Sequence, residues 1–384
     1  KDYPQMRRYV ANAAYLSAVI ALVLTVGTGI LCRDILIAMD TPADLFWDAN
    51  AYIFVIFMGI PVVFLYNLLA SIIRALGDSR TPVYFLALSA GLNIVLDLGF
   101  ILLLDWGVAG AGIATVVSQA VSGVACLVYM VKRFPILRIT REEGRLDADA
   151  CKSLCAMGLP MGLQYSITAI GSIVMQTAVN GLGSVYVTAV ATAGKVYQLL
   201  ACPFDAMGAA MATYCGQNAG AGQLDRLPRG VRSCSVLGAG YSAIALGGML
   251  LFAPQCAMLF LSSSDPQLGL LLSLTCQYIV LQTAFFFPLA LVNILRFSIQ
   301  GMGFSVFAIL AGVLEMIART VVGWFFVPGM GYAAACFAAP AAWICADAFL
   351  IPACLGCIAR LRRSNPTASL ETISRRVLKK AARA

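Results

Sequence analysis

Residues 10–31 read VANAAYLSAVIALVLTVGTGIL, a run of 22 positions without one charged side chain. A helix needs about 20 mostly apolar residues to cross the hydrocarbon core of a bilayer, so this stretch is long enough to span. Further apolar runs lie at 49–73, 82–104, 108–131, 153–181, 187–213, 232–261, 268–300, 304–327 and 333–358, with short polar breaks between them. Together they give ten expected spans. The composition agrees, at 61% hydrophobic and 11% charged, against about 45 to 50% apolar and about 25% charged in a soluble chain. In lipid every backbone amide must be satisfied within the segment. The expected fold class is therefore all-α integral membrane, and the breaks leave no room for a soluble domain.

Lys and Arg set the orientation, because cytoplasmic loops carry the excess of positive charge. On alternate loops one side collects Lys1, Arg7 and Arg8, then Arg74 and Arg80, then the basic residues from Lys132 to Lys152, then Arg226, Arg229 and Arg232, and finally the tail from Arg360 to Arg383. That side holds 22 of the 26 basic residues, and the other side holds Arg33 alone. Asp34, Asp40, Asp44, Asp48, Asp105 and Asp265 lie on the side poor in Lys and Arg. Both termini are expected in the cytoplasm. The net charge of +8 then reflects topology and contact with anionic lipid, which makes nucleic-acid binding unnecessary. Most of the 13 cysteines fall within spans, where Cys behaves as a small apolar residue. No disulfide is expected. Cys354 and Cys357 have the C-x-x-C spacing, but the chain has no His to complete a metal site of the common kinds.

Two stretches repeat. Asn67 to Gly77 reads NLLASIIRALG and Asn293 to Gly303 reads NILRFSIQGMG, 226 residues apart. Trp106 to Ala111 (WGVAGA) meets Met330 to Ala335 (MGYAAA) at 224. Residues 1–133 thus correspond to the last four spans of a second half, while the spans at 153–181 and 187–213 have no upstream counterpart. Two further spans are expected at the N-terminal side of a complete twelve-span protein. The expected parts are an N-terminal bundle at 1–133, a charged cytoplasmic linker at 134–150, a C-terminal bundle at 151–358 and a basic tail at 359–384. Parallel repeats of this kind place substrate at the repeat interface.

Four motifs, in order along the chain, resemble the multidrug and toxic compound extrusion (MATE) transporters, and in particular their bacterial DinF-like branch. Arg74 to Pro82 (RALGDSRTP) is similar to the family's R-x-x-G-D-x-x-x-P loop. Leu92 to Asp97 (LNIVLD) is followed by Trp106 to Thr115 (WGVAGAGIAT). Gly158-Leu159-Pro160 opens the seventh family span, and Gly216 to Gly222 (GQNAGAG) resembles the signature after the eighth. The resemblance covers nearly the whole chain. It implies a two-bundle, twelve-span antiporter of the bacterial plasma membrane, of which helices three to twelve are present here. Such a protein exports organic cations or other amphiphilic drugs in exchange for Na⁺ or H⁺ and needs no cofactor. The chain is expected to act as a monomer. It also implies that Asn93, Asp97 and Thr115 form the cation site of the N-terminal lobe.

The residues give a reading of their own. Ionisable side chains inside spans are costly and point to function. Asn93 and Asp97 are four apart and share a helical face, with Ser89 one turn earlier, and Thr115, Ser118, Gln119 and Ser122 recur on the next span. A carboxylate with amide and hydroxyl oxygens suits a hard cation. The alternative for the neutral residues is hydrogen bonding between helices. Gln164, Thr168, Ser172, Gln176 and Asn180 form an unbroken i, i+4 ladder, read either as a cleft-lining face or as interhelical adhesion. Glu315 and Arg319, also four apart, read as a neutralised structural ion pair. Lys195 with Thr188, Thr192 and Gln198 reads as a cleft face that discriminates substrates by charge. Phe285, Phe286 and Phe287 precede Pro288, which should bend the span, and Phe286 is a candidate wall for flat cations.

Two rival functions carry less. Without His, a Ser-His dyad and an H-E-x-x-H zinc site are excluded, which argues against an enzyme. A lipid-linked oligosaccharide flippase would need several inward Arg or Lys to hold pyrophosphate, whereas only Lys195, Arg296 and Arg319 fall inside spans.

Overall fold

The structure, a computed structural model, describes residues 2–38, 45–261 and 266–364. Lys1, Asp40, Asp44, Asp265 and the basic residues from Arg375 to Arg383 lie outside the described residues. Among the described residues every regular element is helical. The chain forms two compact units, Lys1–Cys155 and Ala156–Ala384.

Unit 1 contains α1 (Tyr3–Ala38), α2 (Phe46–Met58), α3 (Ile60–Ala75), α4 (Arg80–Leu98) and α5 (Gly107–Arg133). α5 is its hub, packing on α2, α3 and α4. Small residues permit this: a Cβ on Gly112 would sit 3.3 Å from the Tyr52 carbonyl, and a Cβ on Gly59 would strike Val116. α6 (Ala148–Asn180) runs from this unit into the next.

Unit 2 continues with α7 (Ser184–Gly220), α8 (Arg226–Met258), α9 (Leu268–Ala284), α10 (Phe286–Gly301), α11 (Ser305–Val321), the short α12 (Val327–Met330) and α13 (Tyr332–Ser364). Its core gathers Phe204, Phe286, Ile294, Ile299, Trp343 and Leu350 from α7, α10 and α13. Cys354 and Cys357, the C-x-x-C pair, are buried in that same core.

All ten expected runs are helical, though they differ in kind. Among the described residues seven helices are long and apolar enough to cross a membrane by length and composition, and nine result if each of two bent pairs counts as one span. α6, the counterpart of the run at 153–181, is 33 residues long but is not among them; its polar ladder dilutes its apolar character. The bent pairs are α2 with α3, at 42°, and α9 with α10, at 49°. The second bend falls at Phe285, just before the expected Pro288.

The repeat is written in the backbone as well as in the sequence. Gly77 and Gly303, paired in the sequence, close their helices with φ of +100° and +91°. Gly107 and Gly331, the second pair, open the following helices at +56° and +63°. Side chains rarely adopt such angles, so Gly is required at both places in each half. Just before the second pair, α4 and α11 each run into a π-helical turn, Gly99–Leu103 and Val322–Phe326.

The segment expected as a charged linker is packed onto α1. Arg7 grips Glu143 with two hydrogen bonds, at 2.8 and 2.6 Å, and also donates to the Ile136 carbonyl. Asn12 Oδ1 accepts from the Asp147 amide at 2.9 Å, and Tyr15 donates to the Gly144 carbonyl. The Arg7 guanidinium and the Thr140 amide hold the Glu143 carboxyl down at about 2.

Candidate functional site

The first candidate lies in unit 1, where α4 and α5 follow one another through a short turn. Asn93 Nδ2 on α4 donates to Thr115 Oγ1 on α5 across 3.4 Å. Thr115 itself donates to the Ala111 carbonyl, and Ser122 donates across the helix pair to the Phe85 carbonyl at 2.6 Å. The polar stripe of α5 thus splits between local bonds and bonds to α4. Asp97 stands one turn beyond Asn93, and its Oδ1 is buried with no hydrogen-bond partner. A buried carboxylate oxygen without a partner calls for an explanation such as an ion or a proton. The structure therefore brings Asn93 and Thr115 together and leaves Asp97 next to them with unused acceptor capacity.

The R-x-x-G-D loop has a structural task. Gly77 turns the chain, and Asp78 then caps α4: its Oδ1 accepts from the amides of Arg80 and Thr81, both at 3.1 Å, and its Oδ2 from the Thr81 hydroxyl at 2.7 Å. Tyr129 on α5 donates to the same oxygen at 2.8 Å. Donors clustered on one carboxylate favour its charged form, and the Thr81 hydroxyl and amide, with Tyr129 and Arg80, lower the Asp78 carboxyl to about 2.

In unit 2 the charges are arranged differently from expectation. Glu315, 3% exposed, is hydrogen-bonded to Arg296 on α10, whereas Arg319 stands 3.7 Å from its other oxygen. The expected Glu315–Arg319 pair is thus the outer part of a three-membered cluster. Arg296 outcompetes Arg319 because a residue four positions along the same helix reaches its neighbour from the side, while one on a facing helix can point directly at it. Arg319 turns instead to α6, donating to Ser172 Oγ at 2.9 Å and to the Thr168 carbonyl at 3.5 Å. Gln164 is wholly buried. Its amide lies 2.8 Å from that of Gln300, and with its oxygen turned to Arg296 it accepts from Nη1 at 3.1 Å and Nε at 3.3 Å. Gln164 belongs to a buried polar network within the unit. Thr168 is half-buried, with its hydroxyl unpartnered. The sequence held a sign of this cluster, since its members, two cations and one anion, all fall inside expected spans.

A cavity of about 230 Å³ lies beside the cluster, lined by residues of α6, α7, α9 and α13 together with Arg319. Gln176 lines it and donates to Asn180 at 2.9 Å. Lys195 and Gln198 are exposed while Thr192 is buried, so the expected face of α7 is not a single surface; the Lys195 ammonium sits 5.6 Å from the centre of the Phe260 ring. Phe286 is fully buried, edge-on to Tyr197 and Phe204. It packs into the core shared by α7, α10 and α13. What Phe286 packs against comes from α7, which local sequence does not reveal.

Comparison with known proteins gives a consistent picture. A family model described as MatE matches residues 1–98 and 160–327. Among curated proteins, the probable multidrug resistance protein YpnP of Bacillus subtilis (strain 168) is 31% identical over 226 residues, covering 56% of this chain and 49% of that protein. The probable multidrug resistance protein YoeA of the same organism is 27% identical over 277 residues, covering 69% of this chain and 59% of that protein. The chain spans about half the length of these relatives. Among solved structures, one described as an outward-facing multidrug resistance MATE family transporter of the MOP superfamily aligns with a TM-score of 0.86 at 20% identity, over 93% of this chain and 79% of that one. A MATE in the bent conformation aligns at 0.82 and 19% identity, over 96% and 85%. At these identities the structural likeness speaks for the fold.

Proposed function

The chain belongs to the MatE family, and on that premise we propose that it works as a secondary exporter, moving organic cations or other amphiphilic drugs out of the cell in exchange for Na⁺ or H⁺. The multidrug resistance named for its relatives supports the cargo class. The observation that carries the coupling role is Asp97, whose buried Oδ1 has no partner beside the hydrogen-bonded pair of Asn93 and Thr115.

In this reading Asp97 takes up Na⁺ or a proton. A bound ion shifts a conformational equilibrium only by its differential affinity for the two states. A carboxylate supplies that difference when Asn93 and Thr115 add their oxygens in one state and not in the other. The site sits in the bacterial inner membrane, with the Lys- and Arg-rich loops and both ends of the chain on the cytoplasmic side.

The test is ethidium efflux from loaded cells under an imposed Na⁺ or pH gradient, normalised to protein in the membrane. Asp97→Asn should abolish gradient-driven efflux with insertion intact, and Asn93→Ala should weaken it. Efflux at the wild-type rate in Asp97→Asn under both gradients would remove Asp97 from the coupling.

A further inference from the structure

Unit 2 holds a largely apolar cavity with a few polar groups in its wall, which the export reading leaves without a task. It has a volume of about 230 Å³ and carries one guanidinium, Arg319, set against an aromatic wall of Tyr197, Tyr278 and Trp343. That volume is below the roughly 300 to 1,000 Å³ of drug-sized pockets, so its occupant must be small.

The electrostatics favour an anion. Arg296 and Arg319 share the single carboxylate of Glu315, and Arg296 holds it by hydrogen bond. The Arg319 contact at 3.7 Å lies beyond hydrogen-bond range. Its Nε is buried without a partner, and its remaining bonds go to the neutral oxygens of Ser172 and Thr168. Asp347, the other buried carboxylate of this unit, makes no close ion pair among the described residues, and the cation it acts on is Arg296, not Arg319. A buried cation without a full counter-charge is costly, and a carboxylate ligand would match the planar guanidinium fork.

We propose that this cavity is a binding site for a small aromatic carboxylate, whose charged group meets Arg319 and whose ring lies against Tyr197, Tyr278 and Trp343. The cavity belongs to unit 2 whereas Asp97 belongs to unit 1, and binding in it does not depend on ion-coupled export.

One position allows a steric test that leaves the charges untouched. Gly194 on α7 lines the cavity, and a Cβ built on it would meet nothing within 4 Å. Gly194→Leu therefore sends a side chain into the cavity from a position where its Cβ meets no neighbour. The experiment measures benzoate binding to the purified protein in detergent by titration calorimetry and by the change in tryptophan fluorescence, with benzamide as the uncharged counterpart. Saturable benzoate binding is expected, weakened at least tenfold in both Gly194→Leu and Arg319→Gln, with benzamide binding at least tenfold weaker than benzoate. Benzoate binding that survives in a folded Gly194→Leu protein would overturn the proposal, as would equal binding of benzoate and benzamide or no saturable binding to the wild type. If Arg319→Gln fails to fold, the Gly194→Leu and benzamide arms still decide.

Discussion

Replacing Glu315 by Gln isolates the strongest interaction inside unit 2. The substitution keeps volume and removes the carboxylate charge that pairs with Arg296 and Arg319, which are both largely buried. Removing one partner of a buried ion pair costs about 3 to 5 kcal/mol, because the other charge is left uncompensated. Measured against a whole-protein stability of about 5 to 15 kcal/mol, that is a large share, so Glu315→Gln should cut folded yield and lower the unfolding temperature sharply. The geometry also ranks the partners. Arg296 is hydrogen-bonded to the carboxylate, while Arg319 sits 3.7 Å away and holds Ser172 as well, so Arg296→Gln should destabilise more than Arg319→Gln. The double substitution Glu315→Gln with Arg296→Gln should be more stable than Glu315→Gln alone, since it leaves one fewer unpaired cation. Thermal unfolding of the four variants in detergent, followed by size-exclusion fluorescence, reads all of this. The reasoning fails if Glu315→Gln unfolds at the wild-type temperature, or if Arg319→Gln proves the more damaging of the two Arg changes.

Three further outcomes follow from single contacts. Asp78→Ala removes the cap of α4 and the Tyr129 bond and should cost about 0.5 to 2 kcal/mol, with Asp78→Asn milder in thermal unfolding. Because the folded Asp78 carboxyl is lowered to about 2 against an unfolded value of about 3.9, its contribution is complete above pH ~4 and is lost as pH falls toward 2; a stability profile in which Asp78→Ala loses as much at pH 2 as at pH 6 would contradict this. Glu143→Gln breaks the grip of Arg7 on the 138–145 segment, so trypsin should cut faster at Arg138, Arg141 and Arg145 near neutral pH; unchanged digestion would show the grip to be dispensable. Gly301→Ala would drive a Cβ into the Ala212 carbonyl where α10 crosses α7, and it should lower the unfolding temperature, whereas Gly194→Ala, with open space around it, should hold or raise it through helix propensity.

The helices were legible because the bilayer demands apolar length, and each expected run has a helix over it. The bend near Pro288 and the paired glycines were legible because they rest on backbone chemistry that one residue type decides. Asn93 with Thr115 was within reach of the sequence, since a short turn folds α5 back on α4. Contacts set by tertiary packing were not. Arg296 meets Glu315 from a neighbouring helix, and nothing local distinguishes it from Arg319, which has the textually closer spacing. Gln164 read as part of a polar ladder, but whether a ladder faces a cleft or its own bundle depends on helix rotation, which periodicity does not fix. Phe286 read as a pocket wall because its burial depends on Phe204 and Tyr197, far away in the chain. The 134–150 stretch read as a charged linker, and its packing was not visible in the sequence, since Arg7, far away in the chain, pairs with Glu143 and holds the stretch against α1.

The proposed coupling role of Asp97 is tested most directly in proteoliposomes carrying the purified protein, loaded with ethidium and diluted into dye-free buffer at zero membrane potential. Outward flow of the dye should drive counter-movement of the coupling ion, seen as uptake of labelled Na⁺ or as internal acidification, in the wild type and not in Asp97→Asn. Equal ion uptake in the two proteins, under the same ethidium gradient and at the same protein density, would contradict the account.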